Sequence, residues 1–229
     1  DLQNWQQRDL SVLWHPCTQM SEHPDTLPLI PIKSAQGVWL EDIHGNRYLD
    51  AISSWWTNLF GHCEPRIAQA IAQQAQTLEH VIFAGFSHEP GLQLAEQLVK
   101  LSPAGLNRVF YADNGSAAIE VALKMSFQFF ANQGQTKKQR FIALSNSYHG
   151  ETLGALSMAD VPLYRQVYSP LLLNPLFASA PDHIEKLQHE TEIQCALRCA
   201  EKLEELVSLH QHELCAFILE PLVQCAGGM

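Results

Sequence analysis

The sequence predicts an α/β fold around a mainly parallel sheet. Three apolar runs carry that prediction: Val109-Phe110-Tyr111, Phe141-Ile142-Ala143-Leu144 and Leu214-Cys215-Ala216-Phe217-Ile218-Leu219. They are rich in β-branched, aromatic or aliphatic residues, and segments of helical periodicity lie between them. Strands alternating with helices imply parallel pairing with both faces covered. Each run is also followed by polar residues: Asp113-Asn114-Gly115-Ser116, Ser145-Asn146-Ser147-Tyr148-His149 and Glu220.

Residues 1–20 are aromatic and polar without periodicity, and Trp14-His15-Pro16-Cys17-Thr18-Gln19-Met20 reads as an arm pinned to a domain surface by Trp14. Residues 21–35, with Pro24, Pro28 and Pro31, are expected to be extended. Val38–Asp42, His44-Gly45-Asn46 and Arg47–Asp50 form a strand–turn–strand pattern, a β-hairpin. Trp55 and Trp56 follow. Adjacent side chains point different ways, so at least one of the two belongs at a surface, interface or pocket.

Pro65 suits the first turn of a helix with Ile67, Ile71, Ala75 and Leu78 inward. Glu89-Pro90 opens another, with Leu92, Ala95, Leu98, Val99 and Leu101 inward and Ser102-Pro103 as its stop. His80–His88 between them is an apolar loop.

The stretch Arg108–Lys124 reads as buried strand, polar turn and helix. Ala118, Val121, Ala122, Met125 and Phe129 recur at helical spacing, and Glu120 precedes Lys124 by one turn, the favourable order for an ion pair. Gly115 permits close approach of a ligand, and Ser116 adds a hydroxyl at a helix N-terminus, where free amides and the helix dipole attract anions. A plain Ser116 N-cap is the alternative. Further on, Gly134–Gln139 is a polar loop, Arg140–Leu144 a buried strand, and Leu153–Met158 helical. Residues 160–182 are irregular, with Pro162, Pro170, Pro175 and Pro181. Ile193–Leu209 is an amphipathic helix with Ala196, Cys199, Leu203, Leu206 and Val207 on one side.

Composition narrows the function. The chain has 229 residues, 46% of them hydrophobic, enough for a sizeable core, and its net charge of −10 argues against nucleic acid or anionic membrane as partner. No apolar run approaches the roughly 18 residues of a membrane span. Asp1–Arg8 lacks a signal-peptide pattern. The six cysteines form no C-x-x-C pair, which excludes a zinc or disulfide framework; Cys195 and Cys199, one helical turn apart, should face a core. A soluble cytoplasmic enzyme is the expectation. No dinucleotide fingerprint, P-loop or hydrolase elbow is present, and the histidines lack metal-ligand spacing, so no metal is expected.

In open parallel sheets, ligands bind off the carboxyl ends of the strands. There the sequence places an anion site (Asn114, Gly115, Ser116), an aromatic with an imidazole (Tyr148, His149) and a carboxylate (Glu220). The set suits a planar phosphorylated cofactor, with Tyr148 offering a face for stacking.

Taken together, the motifs resemble the class III, or omega, branch of the fold type I pyridoxal-phosphate aminotransferases. Asp113-Asn114-Gly115-Ser116, Tyr148-His149-Gly150-Glu151-Thr152 and Glu220-Pro221-Leu222-Val223-Gln224 match patterns shared across the branch. Trp14-His15-Pro16, Ser53-Ser54-Trp55-Trp56 and His80–His88 are similar to stretches of those members that pass the amino group of S-adenosylmethionine to 8-amino-7-oxononanoate, giving 7,8-diaminononanoate in biotin synthesis.

The resemblance implies pyridoxal 5′-phosphate as cofactor, bound through Asn114, Gly115, Ser116, Tyr148 and His149. Tyr148 and Glu220 would take catalytic parts, Tyr148 stacking on the ring and Glu220 in the network around it. Trp55, Tyr148 and Cys17 would meet substrate, Cys17 standing where those members have a tyrosine whose hydroxyl is the better donor. Residues 1–60 would be the arm and hairpin contributing to the small domain and the site entrance, and 61–229 the first part of the large cofactor-binding domain. A homodimer with shared sites is implied. The Schiff-base lysine and the aspartate for the pyridine nitrogen match no position in residues 1–229, so this stretch alone is expected to be inactive; without the family's later strands it would leave a sheet edge and apolar surface uncovered and be poorly soluble. A different omega-aminotransferase, acting on a diamine or an ω-amino acid, and a half that only binds phosphate or a partner remain the other readings.

Overall fold

A computed structural model describes residues 2–182, 186–226 and 228. Its backbone separates into two units, Asp1–Gln97 and Leu98–Met229.

The first unit opens with a helix, α1 (Leu2–Val12), where the sequence shows no helical period. A polar contact ties it down: the buried Asp9 carboxylate meets His15 Nε2 at 2.5 Å. His23 knits the rest of the arm, with Nδ1 2.7 Å from the Leu27 carbonyl and Nε2 3.0 Å from Thr18 Oγ1. A carbonyl only accepts, so Nδ1 donates there. Trp14, 86% exposed, does not pin the arm as expected.

The predicted hairpin forms as β2 (Trp39–Asp42) and β3 (Arg47–Leu49). The extended segment before it contributes β1 (Ile32–Gln36), giving an antiparallel meander in the order β1-β2-β3. The buried Asp42 closes its turn. Oδ1 accepts from the His44 and Asn46 amides at 2.8 and 2.9 Å, and Oδ2 from Asn46 Nδ2 and Tyr48 Oη at 2.8 and 3.0 Å. Burial alone would push this carboxyl up; the Asn46, His44 and Tyr48 donors outweigh it and bring the pKa to about 2.

After β3 comes a single turn, α2 (Ser53–Trp56), wound in the left-handed sense: φ is 49°, 48°, 63° and 63° at Ser53, Ser54, Trp55 and Trp56. For side-chain-bearing residues this costs about 1–2 kcal/mol each, so about 4–8 kcal/mol for the turn. The helices α3 (Pro65–Thr77) and α4 (Glu89–Leu101) follow, Pro65 in the first turn as predicted. Their expected inner faces are not covered: Ile67, Ile71, Leu92, Leu98 and Leu101 are all exposed.

In the second unit, α5 (Gly115–Asn132) is followed by the central strand β4 (Arg140–Leu144), then α6 (Leu153–Ser157), α7 (Pro162–Arg165), a 3-10 turn (Ser169–Leu171), β5 (Leu176–Ala178), α8 (Glu192–His210) and β6 (Leu214–Phe217). The sheet order is β5-β4-β6, both pairs parallel. Alternation along β4 fills both sides. Phe141 and Ala143 pack with Leu123, Met158 and Ile119; Ile142 and Leu144 pack with Ala178, Ala180, Leu203 and Leu206. Cys195 and Cys199 face this core, as expected. Thr191 and Gln194 start α8 with a reciprocal capping box.

Three expectations change. Arg108–Tyr111 is not a strand, and Phe110 is 65% exposed. The described sheet, β5-β4-β6, does not include this segment. The irregular stretch 160–182 contains β5 and short helical turns. On α5, the stripe through Met125 and Phe129 is exposed, while Ile119 and Leu123 face β4.

Asp42 gives a pH test. Its folded pKa lies below the unfolded value of about 3.9, so its stabilisation is complete above that value and lost as pH falls toward about 2. Asp42→Asn should lower the melting temperature at pH 7 and flatten the acid limb of the stability curve. An unaltered acid limb in thermal melts between pH 2 and 5 would refute the assignment.

Candidate active site

The site elements of the second unit meet around the N-terminus of α5. Asn114, not Ser116, is the N-cap: its Oδ1 accepts from the Ala117 amide at 2.8 Å, and its carbonyl accepts from the Ala118 amide at 3.0 Å. The Gly115 and Ser116 amides have no protein partner among the described residues. A Cβ at Gly115 would meet nothing within 4 Å.

Ser116 is occupied by the loop after β4. Its Oγ accepts from the Glu151 amide at 3.2 Å. Gly150, at φ 125°, presses on the same side chain, and a Cβ there would collide with Ser116 Oγ, Cβ and Cα. One turn along α5, Glu120 Oε1 accepts from Thr152 Oγ1 at 2.6 Å and from the Gly154 and Ala155 amides at 2.7 and 3.3 Å. The predicted Glu120–Lys124 pair does not form among the described residues. Glu120 instead serves the free amides at the start of α6.

Glu220, just past β6, joins the same loop. Its Oε1 accepts from the Tyr148 amide at 2.8 Å and its Oε2 from the Cys225 amide at 3.2 Å. Tyr148 Oη donates to Glu151 Oε1 at 2.9 Å, and its ring meets Tyr164 edge-on at 5.6 Å. Asn146, left-handed at φ 60°, is braced by Asp160 and Asp182. Thus Asn114, Gly115, Ser116, Tyr148, His149 and Glu220, read from three separate motifs, belong to one network or adjoin it in the chain.

Two buried polar atoms lack partners among the described residues, His149 Nε2 and Gln224 Oε1. Burial holds the His149 pKa below the usual imidazole range, against a smaller upward pull from Glu220, so the ring is neutral at pH 7. Gln224 is fully buried and donates to the Ser145 carbonyl at 3.1 Å. The sequence places Gln224 and Gly150 in motifs and Glu120 on a helix, but does not show the burial of the first or the contacts of the other two, which depend on the chain folding back 30 or so residues later.

Trp55 and Cys17 belong to the first unit. Trp55 is 61% exposed on the left-handed turn, and Cys17 is exposed at φ 56°. Among the described residues no cluster of three or more His, Cys, Asp or Glu could hold a metal, and no helix is long and apolar enough to cross a membrane.

The second unit thus sets a helix N-terminus, whose first two amides have no partner among the described residues, against the polar loops that end two parallel strands, an α/β arrangement. The class III aminotransferase family profile matches residues 20–229, and the chain belongs to that family. Among curated relatives, adenosylmethionine-8-amino-7-oxononanoate aminotransferase of Helicobacter pylori is 49% identical over 96% of this chain and 48% of its own length. The enzyme of that name from Geobacter sulfurreducens is 40% identical over 100% and 50%. The solved structure of the Methanocaldococcus jannaschii enzyme superposes with a TM-score of 0.87 at 35% identity, over 100% of this chain and 49% of that one. An omega transaminase from Pseudomonas jessenii in complex with PMP gives 0.88 at 30% identity, over 97% and 49%. The chain spans about half the length of the curated relatives it matches. It carries, over that half, the α/β fold type I architecture of these transaminases.

Glu120→Ala would strip the acceptor from Thr152, Gly154 and Ala155. A buried donor left unsatisfied costs about 1–3 kcal/mol, so urea unfolding of the relatives'-length protein should show a loss of that order. Unchanged stability would mean that Glu120 does not hold α6.

Proposed function

We propose that this chain supplies the phosphate-binding half of the active site of a pyridoxal 5′-phosphate-dependent aminotransferase. In this reading the amino group of S-adenosylmethionine passes to 8-amino-7-oxononanoate, giving 7,8-diaminononanoate. One observation carries the cofactor assignment: the open amides of Gly115 and Ser116, next to a loop packed so closely on Ser116 that only glycine fits at position 150. The orphaned Nε2 of His149, adjacent in sequence to that glycine, offers a further polar contact. These residues fit a phosphorylated, polar-edged ligand. Relatives named for this reaction, at 40–49% identity, support the substrates.

When bound, the cofactor supplies the electron sink for amino-group transfer. The chain's own residues bind and orient. Gly115 and Ser116 would hold the phosphate through backbone amides, with Asn114 fixing the turn. Tyr148 would lie against the pyridine ring and touch substrate. Glu220, whose oxygens are taken by two backbone amides, acts through Tyr148 as a positioning residue. Neutral His149 is free to accept or donate one hydrogen bond. Trp55 and Cys17 would line the substrate pocket. Residues 1–60 would belong to the small domain and entrance, residues 61–229 to the large domain, in a cytoplasmic homodimer with shared sites.

The test uses a protein of the relatives' full length carrying these residues. Gly115→Leu keeps the backbone amide but fills the space from which the phosphate would approach it, and should weaken pyridoxal phosphate binding at least about tenfold. Equal affinity in a fluorescence titration would sink the phosphate site. A substrate panel decides the reaction: preference for a diamine or ω-amino acid over S-adenosylmethionine would favour the other omega-aminotransferase reading.

A further inference from the structure

Four consecutive non-glycine residues in left-handed conformation persist only where their surroundings impose it. Close packing does not. Trp55 and Trp56 are 61% and 68% exposed, and behind the turn lies a cavity of about 300 Å³ lined by Gly37, Val38, Asp50, Ser53, Phe60 and His62, among others. Hydrogen bonds do: the Trp56 amide to the Ile52 carbonyl at 2.8 Å, Thr57 Oγ1 to the Ser54 carbonyl at 3.0 Å and the Asn58 amide to the Ser53 carbonyl at 3.1 Å close the turn on itself, and Asp50 holds its first half. Asp50 Oδ1 accepts from the Ser54 amide at 2.9 Å; Oδ2 accepts from Ser54 Oγ at 2.7 Å and lies 2.8 Å from His62 Nε2; the Asp50 carbonyl accepts from the Ser53 amide at 3.1 Å. Both ends of this set are tied to the meander. Asp50 donates its amide to the Val38 carbonyl at 2.9 Å, and His62 exchanges two backbone hydrogen bonds with Gly37 at 2.7 and 3.0 Å. The donors on Asp50, Ser54 first and then His62, also keep its carboxyl below the usual range, so it is ionised throughout the neutral region.

We propose that Asp50, braced by His62, is the positioning residue that forces Ser53–Trp56 into the left-handed turn and so sets how Trp55 is presented to substrate. The second half rests on the reading that Trp55 lines the substrate pocket. The ionised acceptor binds both the amide and the hydroxyl of Ser54, a pairing that fixes the backbone of that residue rather than merely its side chain. The strain is thereby stored at the residues that display the two indoles.

Glycine provides a discriminating test, because it enters the left-handed region without the steric cost. In the full-length holoenzyme, Asp50→Ala should change the near-UV circular dichroism of the tryptophans and raise KM for the amino acceptor about tenfold, with a much smaller effect on kcat. Adding Ser54→Gly to Asp50→Ala should move both readouts back toward wild type, whereas Ser54→Gly alone, which removes a donor from an intact clamp, should move them away. A purely structural role for Asp50 predicts no such reversal of sign. If Asp50→Ala does not accumulate as folded protein, recovery of soluble yield by Ser54→Gly supports the proposal and failure to recover it counts against. Unchanged near-UV dichroism in Asp50→Ala, or a double variant no closer to wild type than the single, overturns it. If the dichroism behaves as expected while Trp55→Ala leaves KM unchanged, the clamp holds and the placing of Trp55 at the substrate falls.

Discussion

The second unit depends on the contact between the first turns of α5 and the loop that leaves β4. Ser116 and Glu120 lie one helical turn apart on α5, and both accept hydrogen bonds from residues 151–155. The glycines at 150 and 154 make this possible, since a Cβ at either would strike the side chain it must approach. The result is a helix N-terminus whose amides stay open while the residues beside them are committed. Anion binding needs that division: the donors must be free, and the walls around them must not move.

Glu220 extends the same logic to the neighbouring strand. Its two oxygens bridge the Tyr148 amide after β4 and the Cys225 amide after β6, so two parallel strands that share a ladder also share their terminal loops. Tyr148 and His149 are held from both sides: by the α5 contact through Gly150 and Glu151, and by Glu220 through the backbone. A neutral, half-buried His149 is a consequence of this crowding, because desolvation outweighs the nearby carboxylate.

Much of this was legible in the sequence because it rests on local pattern. Phe141–Leu144 reads as a buried strand and is one; Pro65 and Glu89-Pro90 start helices where expected; the Asn114-Gly115-Ser116 turn opens α5. What was hidden depends on partners remote in sequence. Arg108–Tyr111 has the composition of a strand, but no strand ladder includes it among the described residues, and composition does not supply one. β5 lies among prolines that argue for irregular chain, and parallel pairing to β4 makes it a strand. Glu120 has a suitable lysine one turn away, yet three converging donors from residues 152–155 capture it. The left-handed turn at Ser53–Trp56 could not be read at all, since no glycine marks it and the residue that enforces it, Asp50, looks like the end of a hairpin.

The two units are stabilised by different physics, and this bears on where precision can be stored. Among the described residues, the buried aliphatic and aromatic side chains belong almost entirely to the second unit; Leu29 and Pro31 are the exceptions. The first unit buries carboxylates instead. Asp9 holds the arm to α1, Asp42 closes the hairpin, and Asp50 winds the tryptophan turn, each through hydrogen bonds to histidines, hydroxyls or backbone amides. An apolar core tolerates repacking, because dispersion and burial have little directionality. A carboxylate fixed by three or four donors has one satisfactory arrangement, and leaving those donors unmet is costly. Such hubs suit a segment that must hold unusual backbone geometry without bulk around it. Ser53–Trp56 is that segment: its indoles are exposed, every residue of it is left-handed, and an ionised group anchors its first half while backbone bonds from Trp56 and Asn58 close the rest.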